Sequence, residues 1–195
     1  MRLVISDFIS LDGVAQAPGG QAEDTDGGFR HGGWSMPHFD VTTMGAAVNE
    51  AMSTTEALLF GRRTWQTMAA AWPERAGDPF ADRMNALPKH VVSRTLSADQ
   101  LTWNNSTLLT GDVLQAVARL KAQPGGDIAV MGSLSLARTL ISAGLVDEYR
   151  LMIEPVVLGG GKRLFPDDGT QRTLELVSAT TASTGVQICV YRPKS

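Results

Sequence analysis

Disulfide scaffolding and transition-metal chemistry have little to work with in this chain, which holds one cysteine and three histidines. Cys189 stands alone in the apolar run Val186–Tyr191 and reads as a small buried hydrophobe. No disulfide framework is possible, and a lone thiol fits a reducing, cytoplasmic setting. Around His31, His38 and His90 there is no His-x-Glu, and Cys-x-x-Cys is absent, so a zinc-dependent nucleobase deaminase is excluded and no metal site is expected. There is no Gly-x-Ser-x-Gly elbow for a serine hydrolase. Positive charge is not in excess either: the net charge of −3 offers no broad field to nucleic acid or anionic lipid. No apolar run approaches the ~18–20 residues of a membrane span. The opening MRLVISDFIS reaches Asp7 too early for a signal-peptide core. Repeats and low-complexity tracts are missing. What remains is a 195-residue chain, 43% hydrophobic with a mean hydropathy of −0.03. It is expected to form a single soluble domain over residues 1–195 that buries roughly 70% of its unfolded surface.

Hydrophobic periodicity predicts strands at Arg2–Phe8, Ala57–Phe60, His90–Ser93, Thr107–Leu109, Ile128–Met131, Glu148–Ile153, Thr173–Thr181 and Val186–Arg192. Helices are predicted near Asp40–Met52, Arg62–Ala70, Asp112–Lys121 and Ser133–Ala143, with Asp112 as an N-cap. Strands alternating with helices imply an α/β fold with a largely parallel sheet clad on both faces. Ser183-Thr184-Gly185 predicts a closing antiparallel hairpin. The segment from Ile9 to Pro37, rich in Gly and Asp, is too long for a plain connection and reads as a lid, with Trp34, Met36 and Phe39 to bury.

Three motifs at strand ends point to a nucleotide cofactor. Gly61-Arg62-Arg63-Thr64 follows the second strand and opens a helix, combining close backbone approach with a helix N-terminus and two bidentate donors. Ser93-Arg94 ends the third strand with further phosphate-capable groups. Gly132-Ser133-Leu134 opens the helix after the fifth, where the amides suit a pyrophosphate or Ser133 serves only as an N-cap. Ligands of open α/β sheets gather beyond the carboxyl ends of strands, where all three lie, so the set is read as an NADPH cradle. Ser10-Leu11-Asp12-Gly13 follows the first strand; Asp12 either faces the substrate as an acid–base group or builds an Asx-type turn. Asp40 is read as a cap in preference to a proton donor. Trp34 of the lid, with Ile153, Glu154, Gly160 and Gly161 at the end of the sixth strand, is expected to border a small-molecule pocket. Lys162 and Arg163 either bind an acidic substrate group or are solvated.

The ordered set SLDG, FGRRTW, HVVSRT and AVMGSLSLARTLISAGLVDEYRLMIEPVVLGGGKRLF resembles the dihydrofolate reductase-like superfamily. Within it the chain is most similar to the reductase (C-terminal) domain of the riboflavin-biosynthesis deaminase/reductase, as a stand-alone protein. The resemblance implies a three-layer fold with a mixed, mostly parallel eight-stranded sheet, NADPH as cofactor and a homodimer. It places Gly61, Arg62, Arg63 and Thr64 at the adenosine-phosphate and pyrophosphate end, Ser93 and Arg94 on the adenosine side, and Gly132, Ser133 and Leu134 along the pyrophosphate and nicotinamide ribose. It implies reduction of 5-amino-6-(5-phosphoribosylamino)uracil, with dihydrofolate or another pterin or carbonyl compound, or a non-catalytic NADPH-binding module, as alternatives. One departure concerns the substrate: Lys162-Arg163-Leu164-Phe165 stands where the riboflavin reductases carry a small-residue, proline and threonine segment.

Overall fold

Runs such as Leu3–Ile5, Ala57–Phe60 and Ile128–Val130 are apolar at every position, a pattern suited to strands covered on both faces. The computed structural model describes residues 1–194 and shows that arrangement. Its strands are β1 (Arg2–Ser10), β2 (Thr55–Gly61), β3 (Lys89–Val92), β4 (Ser106–Leu109), β5 (Asp127–Val130), β6 (Glu148–Glu154), β7 (Leu174–Thr181) and β8 (Gln187–Pro193). The helices are α1 (Thr43–Thr54), α2 (Arg62–Ala71), α3 (Pro79–Ala86), α4 (Val113–Lys121) and α5 (Leu134–Ser142). The eight strands form one sheet in the order β4-β3-β2-β5-β1-β6-β8-β7. The first six in that order run parallel, and β8 and β7 close the sheet antiparallel. The expected fold class therefore holds, hairpin included.

Strand alternation sorts the side chains into two cores. Leu3, Ile5, Ile128 and Val130 pack with Val117 of α4 and with Leu136 and Leu140 of α5. Leu58, Phe60, Val91 and Ala129 face the other way, onto Met52 of α1, Trp65 of α2 and Met84 of α3. Further along that second face, Met44 of α1 packs on Met152 and Val186, with Phe8 beside them. At the amino ends of the central strands, Asp127 and Glu148 are buried to 1% and 2% exposure. Arg2 reaches them at 2.9 and 3.0 Å, Arg150 reaches both at 2.8 Å, and Arg192 reaches Glu148 at 2.9 Å. Buried charge is tolerated only when paired in this way.

Three expectations are corrected. Helix α3 was not anticipated, although Asp78-Pro79 marks its start: the Asp78 side chain accepts from the Ala81 amide and proline occupies the first turn. Helix α1 begins at Thr43, with Asp40 outside it accepting from the Thr42 and Thr43 amides at 2.9 and 3.0 Å. Of the three loop residues expected to be buried only Trp34 is; Met36 and Phe39 are 60% and 37% exposed, in and just after the short 3-10 turn Met36–His38.

Lys89 shows how strictly polar groups are matched. It has no solvent exposure, and its Nζ donates to the carbonyls of Asn85, Leu87 and Asn104 at 2.7, 2.9 and 3.2 Å. The ammonium lies 4.3 Å from the centre of the Trp103 ring, and burial draws its pKa down to about 8. Replacement by methionine keeps the apolar stem but strands the carbonyls. Lys89→Met is expected to cost about 2–3 kcal/mol, read from the urea midpoint at constant m-value.

Candidate functional site

The carboxyl ends of β1, β2 and β5 meet at a polar seam. Gly132 and Ser133 leave β5 with φ of 61° and 54°, a left-handed step that turns the chain at once into α5. Such a step is costly for a residue with a side chain and is held here by its neighbours. The Gly132 amide donates to Asp7 Oδ1 at 2.8 Å, the Ser133 amide donates to Thr64 Oγ1 at 3.0 Å, and Ser133 Oγ accepts from the Gly61 amide at 2.9 Å. Four of the residues singled out in the sequence, Gly61, Thr64, Gly132 and Ser133, are thus brought into contact. A Cβ on Gly132 would sit 3.3 Å from Thr64 Cγ2.

Helix caps divide along the same line. Asp78 caps α3, Asp112 accepts from the amides of Leu114 and Gln115 at the start of α4, and Asp40 serves α1. Helices α2 and α5 open without a side-chain cap. Their first turns stand side by side across the β2–β5 pair, so free amides and the positive ends of two helix dipoles converge on one opening, which suits phosphates. Arg62 is held only by Gln66, at 3.1 Å. Leu134 is half-buried against the α5-side core. Ser93 spends its hydroxyl on the Thr95 and Leu96 amides at 3.1 and 3.0 Å, while Arg94 is exposed beside it.

Arg63 has a different partner. It pairs with Asp26 of the long loop, and Lys162 pairs with Asp24 at 2.6 Å and with Asp26 at 3.0 Å. The base of the loop is fastened by packing instead. Val14, Ala17, Phe29 and Trp34 form a small core, Trp34 Nε1 donates to the Gln16 carbonyl at 2.8 Å, and Val14 bridges to Arg163. Gly161 is squeezed in this core: at φ 120° its Cβ would lie 2.8 Å from Phe29 and Val14. Gly160 and Gly161, with Gln16, Phe29, His31 and Lys162, line an open cavity of about 490 Å³. Trp34, Ile153 and Glu154 do not line it. Ile153 and Glu154 are separated by strand alternation, Ile153 facing the α5 side in register with Ile9.

Asp12 sits at the junction as an anion. It accepts from Ser10 Oγ at 2.6 Å and from the amides of Leu158 and Gly159 at 3.1 and 2.9 Å, clamping the post-β1 turn to the glycine loop. The Ser10 hydroxyl and those amides hold its pKa near 2, against the opposing effect of burial. A carboxylate so held has no proton to give near neutrality.

With this geometry in place, similarity to known proteins becomes informative. Residues 2–188 match the RibD C-terminal domain family. The chain belongs to that family. It is 30% identical to the uncharacterized protein YyaP of Bacillus subtilis, covering 97% of this chain and 94% of that one. It is 25% identical to YwjB of the same organism over 71% of this chain and 75% of that one. Two crystal structures share its fold over the whole chain. One, described as a riboflavin biosynthesis protein of Shewanella sp. PV-4, has a TM-score of 0.76 at 18% identity and is itself fully covered. The other, a pyrimidine reductase-like protein of Corynebacterium diphtheriae, has a TM-score of 0.65 at 16% identity and is 92% covered.

On this RibD-type scaffold two buried carboxyls stand out, and one of them, Asp7, the sequence reading missed. It is 8% exposed and Glu154 is 0% exposed; Asp7 Oδ2 and Glu154 Oε2 have no hydrogen-bond partner among the described residues. Burial pushes the Asp7 pKa well above its ordinary value against the pull of the Gly132 amide, and pushes Glu154 up against Ser35 and His38. An acidic residue in the run Leu3–Ile9, apolar apart from it and Ser6, was the available signal.

Two outcomes follow from these carboxylates. Asp7 and Glu154 hold their protons in the folded chain to higher pH than in the unfolded chain, whose ordinary values are 3.8 and 4.5. Stability should therefore fall as pH rises above those ordinary values, until the folded-state carboxyls have themselves ionised, and the double variant Asp7→Asn, Glu154→Gln should flatten that slope in thermal melts. Asp12 works in the opposite sense and only below about pH 4, outside the window. Separately, Asp12→Asn should lower stability on the order of 1 kcal/mol by loosening the Leu158–Gly159 tie, with the melt rather than nucleotide affinity recording the loss.

Proposed function

We propose that the chain is an NADPH-dependent reductase of a small heterocyclic compound, with 5-amino-6-(5-phosphoribosylamino)uracil as the first substrate to test. The observation that carries the cofactor reading is the seam itself: two uncapped helices open side by side at the sheet's carboxyl edge, with Arg62, Arg63 and Arg94 close in sequence to the strand ends. The first turns of α2 and α5 would take the pyrophosphate, and the arginines the adenosine phosphate. Bound there, the nicotinamide would supply the hydride, while the chain contributes orientation and exclusion of water. Membership of the RibD C-terminal family supports the reductase class. A cytoplasmic homodimer acting on a small molecule, with neither nucleic acid nor membrane as partner, completes the reading.

A pterin such as dihydrofolate is the second reading, and one observation favours keeping it. The segment where the riboflavin reductases hold substrate is consumed here by the fold: Lys162 is ion-paired to the loop, Leu164 is fully buried and Phe165 packs on Tyr149 at 5.6 Å between ring centres.

Cofactor choice is directly measurable. A charge-assisted contact to the extra phosphate is worth roughly 1.5–3 kcal/mol, so calorimetry should show NADPH bound about ten- to a hundred-fold more tightly than NADH. Arg62→Gln with Arg94→Gln should erase the difference; equal affinities in the unaltered protein would remove the NADPH assignment. Following NADPH oxidation with the ribosylaminopyrimidine and with dihydrofolate then separates the two substrate readings.

A further inference from the structure

The reductase reading needs a proton as well as a hydride, and Asp12, tied down as an anion by Ser10 and two amides, does not supply it. Glu154 is placed differently. It ends β6 at the carboxyl edge of the sheet, in register with Ser10 at the end of β1. It lies on the face that carries Met152 and, beside it, Phe8, with Met44 of α1 packed against them. Its carboxyl group is enclosed and half satisfied: Ser35 Oγ donates to Oε1 at 2.6 Å, and Oε2 has no partner among the described residues. The fold does not require an acid at this position, since an apolar side chain would fill the same volume without the cost of desolvation. Glu154 has no basic residue in hydrogen-bond contact. Ser10, alongside it, is neutral, its hydroxyl donating to Asp12 and accepting from the Val14 amide at 2.9 Å. His38, from the 3-10 turn, is the charged neighbour, favouring the ionised form more weakly than burial opposes it. Ser35 stands where the long loop passes from the buried Trp34 to the exposed Met36.

We propose that Glu154 is the proton source of the reduction, delivering through the hydroxyl of Ser35; the inference rests on the reductase reading above. The step balances as follows. Hydride arrives at the carbon of a substrate C=N bond, and the π electrons move to nitrogen. The Ser35 hydroxyl, which donates to Oε1 in the resting chain, turns to that nitrogen and gives up its proton, while Ser35 Oγ takes the proton of Glu154 in its place. The nicotinamide is oxidised, the substrate is reduced, and Glu154 is left as a carboxylate that recovers a proton from water when the loop opens. Asp7, the other buried acid, lies on the opposite face and is occupied with the Gly132 turn.

The first measurement needs no ligand. Infrared difference spectra of the chain alone, followed through a pH titration, should contain a carboxylic-acid carbonyl stretch that disappears in Glu154→Gln, survives in Asp7→Asn and persists to higher pH than that of an ordinary glutamate. Single-turnover hydride transfer from NADPH to 5-amino-6-(5-phosphoribosylamino)uracil, and to dihydrofolate in parallel, should then slow by about 10²–10⁴-fold in Glu154→Gln with NADPH affinity unchanged. Glu154→Asp should recover part of the rate with a displaced pH limb. Ser35→Ala, which removes one hydroxyl, should slow transfer at least tenfold and serves where Glu154→Gln does not fold. An infrared spectrum unaltered by Glu154→Gln, or transfer at the full rate in that variant, overturns the proposal alone. A wild-type chain that binds no NADPH overturns the reductase reading and the proposal with it.

Discussion

The left-handed step at Gly132–Ser133 is the constraint on which the candidate site depends. It lets β5 turn into α5 without an intervening loop, so the first amides of α5 emerge beside those of α2. Three hydrogen bonds hold the step in place, one to Asp7 of β1 and two to the β2–α2 junction at Gly61 and Thr64, both remote in the chain. Without it the two helix starts would not share an opening, and Arg62 and Arg63 would flank an ordinary turn.

The two ends of the sheet treat polar groups in opposite ways. At the amino end, Asp127 and Glu148 are saturated by Arg2, Arg150 and Arg192, which pins β1, β5 and β6 at one level. At the carboxyl end, two helices lack caps and two buried acids keep an unpaired oxygen. Unsatisfied groups are costly, and among the described residues only His90 Nδ1, on β3, adds a third orphaned side-chain atom to those two, so the carboxyl edge of β1, β5 and β6 is where a ligand site would be sought.

Much of the fold was legible because it is written locally. Continuous apolar runs mark strands covered on both faces, and a glycine at a strand end followed by helical spacing marks each turn of the seam. What escaped was non-local or brief. Helix α3 spans eight residues, too few for a periodic signal to rise above its surroundings. Asp7 gains its meaning from Gly132, 125 positions away, and Glu154 from Ser35, 119 away. Asp12 and Lys162 were visible as polar residues near glycines, but their partners, the Leu158–Gly159 amides and Asp24 and Asp26, are set by how the long loop lies on the glycine loop. Alternation of side chains also separates Ile153 from Glu154, two neighbours that sequence proximity had put in one pocket.

The long loop is fastened by unlike forces at its two ends. Its base is a dry core around Trp34, indifferent to ions, while its tip rests on charge pairs that water reaches, exposed between Asp26 and Arg63 and half-buried between Asp24 and Lys162. Exposed pairs of this kind hold with energies comparable to thermal motion and fade within a Debye length of about 8 Å at physiological salt. Were the tip to open for a ligand, the surrounding electrolyte would set how often, and one of its catches is Arg63, an arginine that a phosphate would also seek. An arriving nucleotide would compete with the tip for its own latch, so ionic strength would act on entry twice, weakening the attraction and the obstruction together.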